Sequence, residues 1–447
     1  MRQRVMSMAR AAILLVLCAA PASAEPPARP PPREIMRIEH IVVIYLENHG
    51  FDNLFGEFPG ANGLTRAGRA AVQVDRDGKP YDTLPPIDRH FPEHLPNRPF
   101  LIDHYIGLDS KTPNPVHGFY EEQQQIDGGS MRKFVAYSIV GGLVMGHQDG
   151  SKLALWRYAE EFTLADNFFH AAFGGSFLNH FWTICACTPR FEHAPEALRA
   201  TLDADGKLVK NGAVTPDGYA VNTLNSVFAP HDPKAPADTL VPPQTDRTIG
   251  DELSEKNITW AWYSGGWNDA IAGRADANFQ YHHQPFAYFA AYGDGTEARR
   301  QHLKDERDLI ADLDRGTLPA VVFWKPIGEL DEHPGYADTL SGDKHMREIV
   351  EKIRSGPLWR STVIIVTYDE NGGFWDHVAP PRLDRWGPGA RVPTVIISPF
   401  AKRHYIDHSV YDTTSILKLI ETRFGLKPLG TRDARGNDML RALDLQH

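Results

Sequence analysis

Five short runs of the chain are almost wholly apolar and rich in β-branched residues: 41–46, 259–263, 318–324, 362–367 and 392–398. They lack the polar alternation that one-sided burial imposes, so they are predicted to be parallel strands covered on both faces. Between them, 303–313, 344–353 and 414–423 carry apolar residues at helical spacing. Strands and helices in this alternation predict an α/β fold, a three-layer sandwich around a mostly parallel sheet. The stretch 200–250, with its Asp-Gly, Asn-Gly and Pro-rich character, reads as a loop insertion with a small hairpin around Asp205-Gly206. No linker or repeat divides 37–447, which is taken as a single domain.

The N-terminus follows another logic. Arg2, Arg4 and Arg10 precede the apolar run 11–20 and the small-residue site Ala22-Ser23-Ala24, which predicts a secretory signal over 1–24 and an exported product, periplasmic or secreted. The run is too short to span a bilayer, so no membrane anchor is expected. Residues 25–36 are Pro-rich and predict an extended tether. The net charge of −10 becomes more negative once the three leader arginines are lost, which argues against nucleic acid as a partner. An anionic substrate would then need local positive charge, from a metal or from some of the 20 histidines. Beyond the leader only Cys185 and Cys187 remain, either bridged or a reduced pair; they are too few for a disulfide framework or a zinc site.

The apolar run 41–46 ends in Glu47-Asn48, and 362–367 leads through Tyr368 into Asp369-Glu370-Asn371-Gly372-Gly373. Each pair taken alone reads as a helix or turn cap. Adjacent carboxylates repel, however, and both pairs end strands at the edge where α/β sheets bind ligands. Carboxylate and amide oxygens suit one hard divalent ion, Ca²⁺, Mg²⁺ or Mn²⁺ rather than Zn²⁺. Asp376 and His377 follow closely as a further ligand, support for the ligands, or structural partners of their neighbours. A nucleophile is offered by Ser176 in Gly174-Gly175-Ser176, where the glycines permit close approach and a helix start favours anions; the alternative is a plain cap. His117, the pair His282-His283 and His333 are candidates for a positive pocket that would favour activity at acid pH. The aromatics Trp260, Trp262, Trp267, Phe279, Tyr281 and Phe286 are candidates for the pocket mouth or for core.

These strings resemble the bacterial phosphoesterases that unite phosphatidylcholine-type phospholipases C with respiratory-burst-inhibiting acid phosphatases. The most specific marks are the opening Ile38-Glu-His-Ile-Val-Val-Ile-Tyr-Leu-Glu47-Asn48-His-Gly50 and the late Tyr368-Asp369-Glu370-Asn371-Gly372-Gly373-Phe-Trp-Asp376-His377. The resemblance implies an alkaline-phosphatase-like core, a phosphoesterase catalytic domain and a phosphoserine intermediate. It carries the metal-binding role to Glu47, Asn48, Ser176, Asp369 and Glu370, and the nucleophile to Ser176. Phosphate contacts fall to Asn48, His117, His282 or His283, and His333, with His283 and His333 also in catalysis; His104 competes with His117. Where the phospholipase C branch usually has Pro-Thr-x-Pro-Asn-Arg, this chain has Gly174-Gly175-Ser176, which resembles the acid phosphatase branch. The expected function is an exported metal-dependent acid phosphatase acting on small phosphomonoesters. The alternative is a phospholipase C-type diesterase acting on phospholipid headgroups.

Overall fold

The computed structural model describes residues 33–446. The expected signal and most of the tether lie outside them. The tether's last residues depart from the expected extended form: Arg33–Arg37 make a 3₁₀ turn that buries Ile35, because an apolar side chain this close to the first strand has a core to enter.

The strands of the main sheet are β1 (His40–Leu46), β2 (Thr163–Ala165), β3 (Trp260–Ser264), β4 (Leu303–Asp305), β5 (Val321–Lys325), β6 (Thr362–Tyr368), β7 (Thr394–Ile397) and β8 (Tyr405–Asp407). Their spatial order is β8-β2-β7-β6-β1-β5-β3-β4. All pair in parallel except at β7, which is antiparallel to both neighbours. The helices used below are α1 (Phe51–Phe55), α2 (Phe119–Ile126), α3 (Ala154–Glu161), α4 (Ser176–Cys185), α5 (Glu306–Arg315), α6 (Thr339–Ser355) and α7 (Thr414–Phe424). The architecture is the expected α/β one, with a large and mostly parallel sheet. Every residue of β3, β5, β6 and β7 is buried, as unbroken apolar runs require.

Three expectations change in detail. The run 392–398 is not a parallel strand: no helix lies between β6 and β7 to carry the chain back across the sheet, so β7 returns antiparallel. The helix expected over 303–313 starts only at Glu306. Asp305 caps it in a capping box with Asp308, and the preceding residues form edge strand β4. The run 344–353 is the inner part of the longer α6, which begins earlier because the Asp338 side chain accepts from Ser341 N. The hairpin around Asp205-Gly206 is present, pairing Thr201–Leu202 with Leu208–Lys210.

Cys185 and Cys187 are joined by a disulfide at the C-terminal end of α4. Among the described residues, no helix is long and apolar enough to cross a membrane.

Candidate functional site

Sheet register places the first two components. Leu46 is opposite Tyr368 in the β1–β6 ladder, so the next residues, Glu47 and Asp369, emerge side by side at the carboxyl edge. Asp369 N donates to Leu46 O at 3.1 Å and Glu47 N to Asp331 O at 2.8 Å, which ties the loop after β5 to the same edge. Asn48 turns the chain with φ 69°, a left-handed conformation that Asn tolerates. Gly372 (φ 64°) lies against it; a Cβ there would fall 2.2 Å from Asn48 O, so only glycine lets the two loops meet.

Ser176 is the first residue of α4, yet its side chain does not cap the helix. Its Oγ donates to Asn48 Oδ1 at 3.2 Å. Glu47-Asn48 caps nothing either, for Gly50 is the N-cap of α1. The capping alternatives therefore fail on geometry for both strings. Glu47, Asn48, Asp369 and Glu370 are all fully buried or nearly so. Glu47 Oε2 accepts from Tyr336 Oη at 2.9 Å. Glu47 Oε1 lies within ion-pair reach of His283 Nε2 and of Lys325 Nζ, the latter at 2.9 Å, but no hydrogen bond of good geometry reaches it. Asp369 Oδ2, Glu370 Oε1 and Asn48 Nδ2 also lack hydrogen-bond partners. Unsatisfied buried carboxylate oxygens are costly, and a group of them could hold a cation.

The imidazoles surround this group in two ranks. His117, His282 and His333 line an open cavity of about 620 Å³ together with Ser176, Phe177 and Tyr336. His283 lies deeper, against Glu47, and stacks on His180 at 5.3 Å between centroids. His117 Nε2 is 3.7 Å from Glu370 Oε1, whereas His104 is exposed and does not line the cavity, so the structure brings His117 into the site. His117, His180 and His333 share a pattern: Nδ1 donates to a nearby carbonyl, of Pro115 (2.7 Å), Ser176 (2.6 Å) and Pro334 (2.5 Å). The backbone thereby fixes the tautomer and leaves Nε2 as a lone pair.

Burial pushes His117, His282 and His333 below the ordinary imidazole value, His333 to about 4, which weighs against the positive pocket expected at acid pH. Burial raises Asp369 to about 7 despite Lys325, and burial with the Asp369 charge raises Glu370. Burial alone would raise Glu47 too, but His283 and Lys325 together hold it well below the usual carboxylate range.

Some assignments move. Asp376 and His377 belong to a neighbouring cluster with Asp52 and Arg391: Arg391 Nε is 2.9 Å from Asp376 Oδ1, and His377 Nδ1 is 2.6 Å from Asp52 Oδ2. Trp260, Trp262, Trp267, Phe279 and Phe286 are buried in the core, and neither they nor Tyr281 line the cavity. Ile139, 75% exposed, stands at its rim instead. The insertion contributes Asn211, Asn222 and Thr223 to the cavity wall.

Sequence reasoning missed Lys325, Asp331 and the part played by His180. Lys325 ends β5 beside Glu47 and Asp369, and Asp331 Oδ2 is buried without a partner. The available signal was position: a Lys at the end of an apolar strand shares the edge that singled out Glu47 and Asp369.

Ser176 thus presents a hydroxyl at a helix start on the carboxyl edge of a mostly parallel sheet, free of any capping role. The chain belongs to the phosphoesterase family, whose model matches residues 38–427. It is a hydrolase acting on phosphoric ester bonds. It is similar to Phospholipase C B of Mycobacterium tuberculosis, 25% identical over 458 residues covering 92% of this chain and 78% of that protein. It is also similar to the non-hemolytic phospholipase C of Pseudomonas aeruginosa, 24% identical over 87% of this chain and 54% of that one. Among solved structures it is similar to a protein of the alkaline phosphatase superfamily from Vibrio parahaemolyticus, with TM-score 0.36 and 11% identity over 84% of this chain and 77% of that one.

Proposed function

We propose that this chain is a metal-dependent phosphodiesterase of phospholipase C type, with Ser176 as the nucleophile. The observation that carries the reading is the placement of Ser176 Oγ: bonded to Asn48, uninvolved in capping, and facing a cavity large enough for a phosphate with two substituents. The names of the relatives favour the diester over the monoester.

The donor set fits one hard divalent cation. Glu47, Asn48, Ser176, Asp369 and Glu370 would hold it, with Ca²⁺, Mg²⁺ or Mn²⁺ better matched than Zn²⁺ to these oxygens. When bound, such an ion offsets the carboxylate charge and makes the serine hydroxyl more acidic. Ser176 Oγ attacks phosphorus as the bond to the leaving alcohol breaks, and an imidazole Nε2 of the cavity takes the hydroxyl proton. The resulting imidazolium returns the proton to the alkoxide. Water then cleaves the phosphoserine, its proton taken by the same lone pair, and Ser176 is restored. His333 and His117 are the candidates for this role because their Nδ1–H groups are already committed to backbone carbonyls.

The second reading is a phosphomonoesterase, favoured by Gly174-Gly175-Ser176 in place of the Thr-bearing string of the phospholipase C branch. The test compares nitrophenol release from an aryl phosphate and from its choline diester, each with added Mn²⁺ or Ca²⁺. Rapid monoester cleavage with a silent diester would replace the first reading by the second. We also infer export, supported by the N-terminal pattern and by the Cys185–Cys187 bridge, which an oxidising compartment maintains.

A further inference from the structure

Lys325 is fully buried beneath the site. Its Nζ is 2.9 Å from Glu47 Oε1, 3.3 Å from Leu46 O and 3.8 Å from Asp369 Oδ2, and lies 5.3 Å from the centroid of the Tyr45 ring. Two carboxylates and a carbonyl converging on one positive charge form an oxygen set that a metal ion would also accept. His180 and His283 approach the same carboxylate. With Glu47 they place ligand atoms within 4.8 Å of one another, all three side chains being buried. His180 Nε2 lacks a hydrogen-bond partner, and His283 Nε2 is turned to Glu47 Oε1. The Nδ1–H of His180 is spent on Ser176 O, so its Nε2 carries the lone pair that a metal ligand needs. The charge of Lys325 is felt by both rings.

We propose that Lys325 stands in for a second metal ion. Its ammonium supplies, between Glu47 and Asp369, part of the charge that a borderline divalent cation bound by Glu47, His180 and His283 would supply. Coulomb repulsion between that ammonium and any such cation keeps the second position closed. The nitrogen-bearing triad would suit Mn²⁺ or Zn²⁺, whereas the oxygen set beside Ser176 suits a harder ion. The inference rests on the metal reading given under Proposed function. It goes beyond that reading in assigning a latent second site and the residue that blocks it.

The test is metal stoichiometry, not turnover. Wild type, Lys325→Met and Lys325→Arg are stripped with chelator and titrated with Mn²⁺ by equilibrium dialysis. Wild type and Lys325→Arg should take up about one equivalent and Lys325→Met about two, the second lost again on adding His283→Ala. Two Mn²⁺ ions sharing Glu47 should also couple, quenching the isolated-ion EPR signal in Lys325→Met alone. If Lys325→Met is too unstable to purify, Lys325→Gln serves with the same expectation. A single equivalent in the neutral variants, or two in wild type, overturns the proposal while leaving the one-metal reading standing. No Mn²⁺ or Ca²⁺ uptake by wild type overturns the one-metal reading and this inference with it.

Discussion

Asp52, Asp376 and His377 form a group of ligand atoms as closely spaced as Glu47, His180 and His283, within the same 4.8 Å. The first group carries its own cation. Arg391 is fully buried, forks onto Asp376 through Nε (2.9 Å) and Nη2 (3.0 Å), reaches Asp52 Oδ1 at 3.1 Å, and donates from Nη1 to the carbonyls of Asn62 and Asp166. Every carboxylate oxygen of Asp52 and Asp376 accepts a hydrogen bond. In the second region one lysine faces Glu47 and Asp369, with Asp331 and Glu370 close by, and each of these four carboxyls keeps an oxygen without a hydrogen bond. Similar residues are thus complete in one place and deficient in the other. Ligand type and spacing alone do not distinguish the two regions; the unmet demand for positive charge does.

The largest test removes the nucleophile. Ser176→Ala should cut turnover by about 10⁵-fold or more while Mn²⁺ binding persists, because the oxygens lacking a partner belong to other residues. Retained turnover would remove Ser176 from the chemistry.

The two clusters should answer the same substitution in opposite ways. Asp376→Asn leaves buried Arg391 partly unpaired and should cost about 3–5 kcal/mol in urea unfolding, with metal affinity little changed. Asp369→Asn should stabilise the metal-free protein by relieving repulsion with Glu47 and Glu370, yet weaken Mn²⁺ binding by more than about 100-fold. If both substitutions destabilise alike and neither affects binding, the contrast between the regions is false. Chelation supplies a related measurement: Mn²⁺ at about 100 times its Kd should add about 2.7 kcal/mol to wild-type stability, and far less to Asp369→Asn.

A smaller effect concerns a third solution to the same problem, the proton. Glu421 on α7 is buried, and burial together with the neighbouring Asp433 carboxylate raises it to about 9. The folded state therefore holds a proton that the unfolded chain releases in the ordinary carboxylate range. The associated stability is complete at low pH, declines as pH rises from about 4.5, and is lost by about pH 9. Thermal unfolding of Glu421→Gln should show a gain over wild type that grows from about pH 5 to about pH 9. A gain independent of pH would mean that Glu421 is not protonated in the fold.

Much of this was legible in the chain itself. Unbroken β-branched runs read as two-face-buried strands, and a carboxylate at the end of each of two such runs, Glu47 and Asp369, points to the edge where the site lies. What escaped reading depends on pairing across long distances. Arg391 is an ordinary arginine until the fold sets it on Asp376 and Asp52. Lys325 acquires meaning only because β5 is the neighbour of β1. The three-residue strands β2, β4 and β8 are too short to show a period. The aromatics near Trp260 leave pocket mouth and core both open in the sequence, because composition cannot distinguish a ring facing a cavity from one packed between strands and helices; the fold puts them in the core.

The ladder around β1 has a bearing on how the protein is made. This strand lies near the start of the chain, yet its partners are β5 and β6, which arrive roughly 280 and 320 residues later. Glu47 emerges from the ribosome long before Asp369, and no pair of strands can hold the two together until most of the polypeptide exists. Half a site binds an ion poorly. If the site takes a metal, as proposed, that ion is chosen from those available where the finished chain folds, and not from those present where its synthesis begins.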